Sequence, residues 1–260
     1  MTNEVPVSES VVNHPDGLRP VAELVKPDVR MQYLAISDDV GTRPLTQSDR
    51  HAQIAQFELQ ECVPEDIRVH FDTARNLYLY AWNVYRFHAI AEHQALGSLE
   101  MALRLKLIAH GDLNVDGLLE PVFPSRKKKL TNFELTPKRV MLKQMLGHAA
   151  VTNLISNDRI VNRFHWLAKS VEVLQFVRMA ELMNQQGLTE LRGEPPPIVL
   201  TDEERSPDWI GGFIEALPSI RNAYAHGSSR IYASVLRTFD ICSDLINQLF
   251  GVDGASLAGK

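Results

Sequence analysis

The stretch DIRVHFDTARNLYLYAWNVYRFHAIAEHQALGSLEMALRLKLI, from Asp66 to Ile108, contains neither a proline nor a block of charged residues. Apolar residues and one histidine recur in it at intervals of three and four, which places them on one face of an α-helix. We therefore predict one long helix, roughly 60 Å in length at ~1.5 Å per residue, as the central element of the fold. The face consists of Leu77, Ala81, Val84, His88, Ala91, Ala95, Leu99 and Ala102.

Further helices with apolar faces follow this one. We predict them over residues 136–149, 158–186, 208–226 and 229–250. Glycine and proline punctuation separates them, because glycine adopts the left-handed conformation that ends a helix and proline removes a helix hydrogen bond. The sequence therefore predicts an all-α bundle of four or five main helices, one of them long.

Two of these helices have apolar faces that predict packing on the bundle. In the helix predicted over 158–186 the face is Ile160, Phe164, Leu167, Val171, Leu174, Val177 and Leu182. In the last helix it is Ile231, Val235, Phe239, Cys242, Leu245, Ile246 and Leu249.

The two ends of the chain lack such periodicity. Residues 1–57 are rich in Pro, Asp, Ser and Val, which predicts a partly ordered and irregular N-terminal arm in which Met31–Ile36 is a candidate extended segment. The helical domain is predicted over 58–250, and residues 251–260 form a flexible tail.

Composition limits the classes of function. The net charge of −5 does not favour nucleic acid over the whole surface, so RNA binding would need a local basic patch such as Arg126–Lys129. The two cysteines, Cys62 and Cys242, are too few for a disulfide framework or a four-cysteine metal site, and a reducing cytoplasm is the simplest expectation. The sequence contains no signal-peptide type of apolar run and no run of about 18 apolar residues, so no membrane span is predicted.

One group of residues has the composition of a metal site but the wrong spacing. His88 and His93 are five residues apart, so they diverge on an ideal helix, and with Glu92 they do not form the zinc-binding His-Glu-x-x-His pattern. We expect no metal site and no cofactor.

The residues best suited to bind or act on a phosphate lie in the stretch RNAYAHGSS, residues 221–229, at the junction of the last two predicted helices. Asn222 and His226 are four apart and share a helix face, whereas Arg221 and His226 are five apart, about 140° around the helix. Arg221 and His226 converge on one phosphate only if the last turn distorts, for which Pro218 is a source, or if a second copy supplies its own motif.

At these residues the chain resembles the HEPN superfamily (higher eukaryotes and prokaryotes nucleotide-binding domains). The family motif is an arginine, a polar residue directly after it, and a histidine, with four to six residues between the arginine and the histidine. Arg221, Asn222 and His226 match all three parts. The resemblance covers residues 66–250, while the specific match is limited to the motif. It implies a helical bundle that dimerises and, in many members, a metal-independent ribonuclease of toxin, phage-defence or RNA-processing systems; other members are non-catalytic binding modules.

The spacing of arginine and histidine alone is not specific. Arg104 and His110 have a similar separation, as do Arg159 and His165, but in both pairs an apolar residue follows the arginine. The polar residue after Arg221, the Gly-Ser helix break and the late position distinguish the motif from these pairs. The alternative for all of them is an ordinary polar helix end.

The resemblance also suggests supporting residues. Glu100 resembles an acid that often faces the motif from the first helix of HEPN bundles, and the alternative is a surface pair with Arg104, four residues away. Tyr224, Ser228 and Arg230 are candidate substrate-binding residues.

Two functions from different classes remain open. In the first, His226 deprotonates a ribose 2′-hydroxyl and Arg221 stabilises the charge on the attacked phosphate, so RNA is the substrate. In the second, the motif has a structural role in a dimeric binding module. A weaker third possibility is nucleotide or effector binding that controls a partner such as an antitoxin.

Overall fold

The structure is a computed structural model that describes residues 14–38, 41–112, 141–187, 199–225 and 235–251. Within these ranges the chain forms eight α-helices, one two-stranded antiparallel sheet and short 3-10 turns, which confirms the all-α class. The helices are α1 (Gln47–Ala55), α2 (Glu65–Tyr80), α3 (Phe87–His110), α4 (Leu142–Val151), α5 (Arg163–Gln186), α6 (Asp202–Arg205), α7 (Trp209–Ala225) and α8 (Val235–Phe250). The strands are β1 (Ala35–Asp38) and β2 (Gly41–Pro44).

Helix α3 lies at the centre of the bundle. It packs most extensively against α2 and α8, and it also contacts α4 and α7, which pack on each other. Ala95, Leu99 and Leu103 of α3 are fully buried. The predicted apolar face of the last helix is confirmed from Val235 onward, because every member of it from Val235 to Leu249 is buried.

The prediction of one continuous helix over 66–108 is wrong, because a turn at residues 81–86 separates α2 from α3. The N-terminal segment binds this turn. The Asp28 N–H donates to the Trp82 carbonyl at 2.8 Å, and the Asp28 carboxylate accepts from the Tyr85 N–H at 3.3 Å. The helix is interrupted because the Trp82 carbonyl and the Tyr85 N–H are bound to Asp28 instead of to groups of the helix. In addition, the aromatic and β-branched residues of the turn have only a weak helix propensity.

A group of ion pairs holds the N-terminal segment in this position. Arg30 donates to both carboxylate oxygens of Asp28, at 2.8 and 2.9 Å, and to Asp16 at 2.6 Å. Arg86 of the turn also binds Asp16, at 2.9 Å. The hydrogen bond from Arg30 is the main cause that holds the pKa of Asp16 below its ordinary value.

The N-terminal arm is more regular than predicted. Residues 47–55 form α1, which begins with a capping box in which Thr46 and Asp49 exchange side-chain to backbone hydrogen bonds. Ile54 of this helix is 2% exposed and belongs to the main core. The predicted extended segment is divided between a 3-10 turn at Val29–Tyr33 and strand β1.

The apolar face predicted for α5 is a core face only in part. Phe164 and Val177 of this face are exposed, its four leucine and valine residues at 167, 171, 174 and 182 are partly buried, and Ile160 is buried just before the helix begins. The one buried residue of the helix itself is Trp166. The helix ends at Gln186 as predicted, and Gly187 follows it in the left-handed conformation that ends helices. The periodicity therefore predicted the helix correctly, but not what covers it.

Some predictions fall outside the described residues. They concern the basic run 126–129, the start of the helix predicted from residue 136, and His226, Gly227, Ser228 and Arg230 of the motif region. Among the helices that the structure describes, none combines the length and the apolar character needed to cross a bilayer.

A buried arginine and a buried histidine meet where α1 packs on α2 and α3. Arg50 Nη2 donates to the Tyr78 carbonyl at 2.6 Å and lies 3.0 Å from His88 Nε2. Because a guanidinium only donates, His88 accepts through Nε2 and donates its Nδ1–H to the Tyr85 carbonyl, 2.9 Å away. Burial, together with the positive charge of Arg50, lowers the pKa of His88 from 6.5 to about 4.

This cluster makes stability depend on pH. The unfolded chain takes up a proton at His88 near pH 6.5, whereas the folded chain does so only near pH 4, so stability is present above pH 6.5 and is lost as the pH falls through about 4. The expected contribution is on the order of 3 kcal/mol.

Denaturant unfolding of the wild type and His88→Gln between about pH 7.5 and 4 measures this contribution. Glutamine keeps an acceptor for Arg50 but does not titrate, so the stability difference between the two proteins is expected to shrink as the pH falls. A difference that is constant over this range would contradict the assignment.

Candidate functional site

Helix α7 carries the first residues of the motif. At its start the Asp208 carboxylate accepts a hydrogen bond from the Gly211 N–H at 2.9 Å, which satisfies one of the free donors of the first turn. Pro218 lies inside the helix, which continues to Ala225. Leu217 is 1% exposed and anchors α7 in the core. The apolar side of the helix thus orients Arg221, Asn222 and Tyr224 relative to the bundle.

Arg221 contacts the acid that the sequence singled out. Arg221 Nη2 lies 3.2 Å from Glu100 Oε2 of α3, and Arg104 Nη2 lies 3.1 Å from Glu100 Oε1. One carboxylate therefore contacts the motif arginine and also the arginine one turn along its own helix, while a role of Glu100 at a functional site stays a prediction. The side chains of Arg221 and Arg104 are 39% and 33% exposed, and that of Glu100 is 19% exposed.

The charges of this group suit an anionic ligand. Two guanidinium groups contact one carboxylate at a partly solvated position. A guanidinium has five N–H donors in a fixed fork, which matches a phosphate well. Glu100 restricts the rotamers of Arg221, so less side-chain freedom remains to be lost when an anion binds.

Tyr224 contacts a second, buried carboxylate. Its hydroxyl donates to Glu92 Oε2 at 2.5 Å, and Thr238 of α8 donates to Glu92 Oε1 at 2.5 Å. Glu92 is 1% exposed. Burial, with Glu92 as a further cause, raises the pKa of the Cys242 thiol, so this cysteine stays protonated. Tyr224, which is partly buried, therefore joins α7 to α3, and its role as a substrate-binding residue stays a prediction.

The two carboxylates determine the register of α7 on α3. Glu92 is eight residues before Glu100, about 12 Å along the helix, and their partners Tyr224 and Arg221 follow in the opposite chain order. The buried contact fixes the depth of α7 on α3, while the outer contact holds Arg221 at the surface. Asn222 is partly buried between these positions.

The residues of the two other arginine–histidine pairs have different hydrogen-bond partners. Arg159 donates to the Asn153 carbonyl at 2.7 Å, and His110 Nδ1 lies 2.8 Å from Asp112 at the end of α3. Arg104, in contrast, belongs to the group around Glu100. The separation of arginine and histidine in the sequence therefore did not predict that Arg104 lies near Arg221. That position depends on the packing of α7 against α3.

Sequence reasoning missed the role of Glu92 and Thr238. A signal was present, because Glu92 interrupts an otherwise apolar face between Ala91 and Ala95, and a charge in such a position needs a buried partner. The grouping of Glu92 with His88 was misleading, since the structure places His88 on Arg50 instead.

Comparison of the chain with protein-family models, with curated proteins and with solved structures finds no match. The functional argument therefore depends on the motif and on the contacts of the residues that the structure describes.

Proposed function

We propose that this protein is an endoribonuclease that cleaves RNA without a metal ion, through the motif formed by Arg221, Asn222 and His226. His226 removes the proton of a ribose 2′-hydroxyl, whose oxygen then attacks the adjacent phosphorus. The bond from phosphorus to the 5′-oxygen of the next nucleotide breaks, and this oxygen takes up a proton from the imidazolium of His226 or from water. Arg221 donates two parallel N–H bonds to the phosphate oxygens and stabilises the negative charge of the transition state. Asn222 orients the imidazole or binds a phosphate oxygen.

One observation carries this proposal: Arg221 is held in place and still reaches solvent. The pair with Glu100 at 3.2 Å orients the guanidinium, and 39% of the side chain remains exposed. Arg104 adds a second positive charge to the same carboxylate. A fixed, partly solvated guanidinium four residues before the end of α7 suits phosphate binding together with His226.

The mechanism predicts its own substrate and products. The attack needs a 2′-hydroxyl, so RNA is cut and DNA of the same sequence is not. The products carry cyclic phosphate ends, and excess EDTA does not reduce the rate. Incubation of the purified protein with labelled single-stranded RNA and DNA in EDTA tests the proposal, with His226→Ala as the inactive control. Cleavage of DNA, or cleavage that survives in His226→Ala, would exclude this mechanism.

The non-catalytic binding module is the second candidate, and a specific contact favours it. Arg221 and Tyr224 both bind carboxylates of α3, so part of the motif helix joins helices together. In this alternative wild-type protein leaves RNA intact, and Arg221→Ala changes stability rather than activity. The same incubation, together with unfolding curves, distinguishes the two candidates.

We also propose that the protein is a cytoplasmic homodimer, as its resemblance implies, and that α5 contributes to the interface. Val173, Phe176 and Val177 of α5 are 62%, 66% and 43% exposed, and burial of such side chains favours association. Light scattering is expected to show a dimer for the wild type and a monomer for Phe176→Asp. A monomeric wild type would contradict the dimer, and a dimeric Phe176→Asp would exclude this helix face. An antitoxin-like regulatory partner remains an alternative occupant.

A further inference from the structure

One face of α3 continues from the carboxylate that holds Arg221 onto a cationic and apolar surface. Glu100, Arg104 and Ile108 follow one another at intervals of four residues, so they lie in a row along the helix. Leu105, three residues before Ile108, lies beside this row. Leu105 is 41% exposed and Ile108 is 40% exposed, although α3 is the central helix of the bundle. The surface next to Arg221 therefore presents a guanidinium and two aliphatic side chains together.

The Glu100 carboxylate keeps the two guanidinium groups of this surface apart. Its Oε2 lies 3.2 Å from Arg221 Nη2, and its Oε1 lies 3.1 Å from Arg104 Nη2. A phosphate between the two arginines would meet the negative charge of this carboxylate, which repels it. A guanidinium has five N–H donors, more than its contact with one carboxylate oxygen uses. The arrangement therefore favours two different phosphates, one on each arginine, over one phosphate shared by both.

A single RNA strand offers this pattern of groups, because its phosphates alternate with nucleosides that have apolar surface. An arginine binds a phosphate through parallel N–H donors, and contact of Leu105 and Ile108 with a nucleoside removes apolar area from water. The net charge of −5 gives the protein no general attraction for RNA. A strand therefore needs local contacts beside the scissile phosphate, and the surface around Arg104 is suited to supply them.

We propose that Arg104 binds the phosphate next to the scissile one, while Leu105 and Ile108 contact the nucleoside that joins the two phosphates. The proposal rests on the ribonuclease function proposed above and specifies its substrate. The enzyme acts on a strand that has a charged phosphate beside the cleaved bond, and Arg104 selects for that charge. Arg221 remains the residue that contacts the scissile phosphate.

Cleavage of two matched hexanucleotides tests the proposal. Each has one ribose among deoxyriboses and hence one cleavable bond, and in the second the two phosphates that flank this bond are replaced by uncharged methylphosphonates. Wild-type protein is expected to cleave the fully charged strand at least about tenfold faster than the second strand. Arg104→Ala is expected to cleave the charged strand at least about tenfold more slowly than the wild type, and the second strand at the rate of the wild type to within about twofold.

Three further proteins make the comparison specific. Arg104→Lys keeps a charge and is expected to restore part of the rate on the charged strand. Arg163→Ala is the matched control, because the Arg163 side chain is also 33% exposed and lies 3.4 Å from one carboxylate, that of Asp158; both rates are expected to stay unchanged. Thermal unfolding shows whether each variant is folded. If Arg104→Ala does not fold, Arg104→Gln, which has a longer side chain without the charge, takes its place.

The outcomes separate this proposal from the ribonuclease proposal. An equal loss of rate on both strands in Arg104→Ala would overturn it, because Arg104 would then act only through Glu100 and Arg221. An unchanged rate on the charged strand would overturn it as well. If the wild type cleaves neither strand, the ribonuclease proposal fails, and fluorescence anisotropy of the labelled charged strand decides the role of Arg104. Binding at least about tenfold weaker in Arg104→Ala, with a smaller salt dependence, supports that role, and equal binding refutes it.

Discussion

Replacing Arg221 by alanine is expected to lower the rate of RNA cleavage by about 10²–10³-fold while the protein stays folded. The guanidinium stabilises charge that develops on the phosphate, and alanine leaves no donor at that position. The loss of the pair with Glu100 has little effect on folding, because the pair is partly exposed and such pairs contribute about 0–1 kcal/mol. Single-turnover cleavage and denaturant unfolding of the same samples measure the two effects separately.

Two further variants test whether the loss of activity is specific to the guanidinium group of Arg221. Arg221→Lys keeps the charge but loses the planar pair of donors, so its rate is expected to lie between those of the wild type and the alanine variant. Arg178→Ala is the matched control, because Arg178 has a similar exposure of 44% and a similar ion pair, with Glu204 at 3.0 Å. Full activity in Arg221→Ala, or an equal loss in Arg178→Ala, would contradict the proposed role.

Replacing Glu92 by alanine is expected to lower the free energy of unfolding by about 3–5 kcal/mol. The substitution removes the carboxylate that accepts from Tyr224 and Thr238, and it leaves the buried Thr238 hydroxyl without this acceptor beside a cavity in the interior. Each unsatisfied buried group costs about 1–3 kcal/mol, and the cavity adds to this cost. Urea unfolding with an unchanged m-value measures the effect.

The same residue type on the same helix provides the control. Glu100→Ala removes a partly exposed carboxylate and is expected to cost at most about 1 kcal/mol. Tyr224→Phe removes one of the two donors to Glu92 and is expected to have an intermediate effect. If Glu92→Ala were no more destabilising than Glu100→Ala, Glu92 would not have the buried contacts described above.

The bundle was largely predictable because its helices carry local signals. Apolar spacing predicted α8 and its buried face from Val235 to Leu249. The end of α5 at residue 186 was predictable because a glycine, which takes positive φ without steric cost, follows it. Glu100 was identified through a resemblance and not through periodicity, and its contact with Arg221 agrees with that expectation. The ribonuclease activity remains a proposal.

The break between α2 and α3 was not predictable from its own residues. Helical periodicity continues across residues 81–86, and the interruption depends on Asp28, which lies more than fifty residues away and binds the backbone of the turn. Local propensity is a small term per residue, so hydrogen bonds from a distant segment override it.

The sequence by itself determined where helices form, which face of each is apolar and which residues make up the motif, because these properties depend on neighbours within a few positions. Only the tertiary structure decided that Glu92 holds Tyr224, that Glu100 joins Arg221 to Arg104, and that most of α5 remains uncovered in one chain. The first two outcomes depend on how α7 packs against α3, and the third depends on which other elements pack on α5. No single helix carries that information, since a buried carboxylate is stabilised only by donors that another helix brings to it.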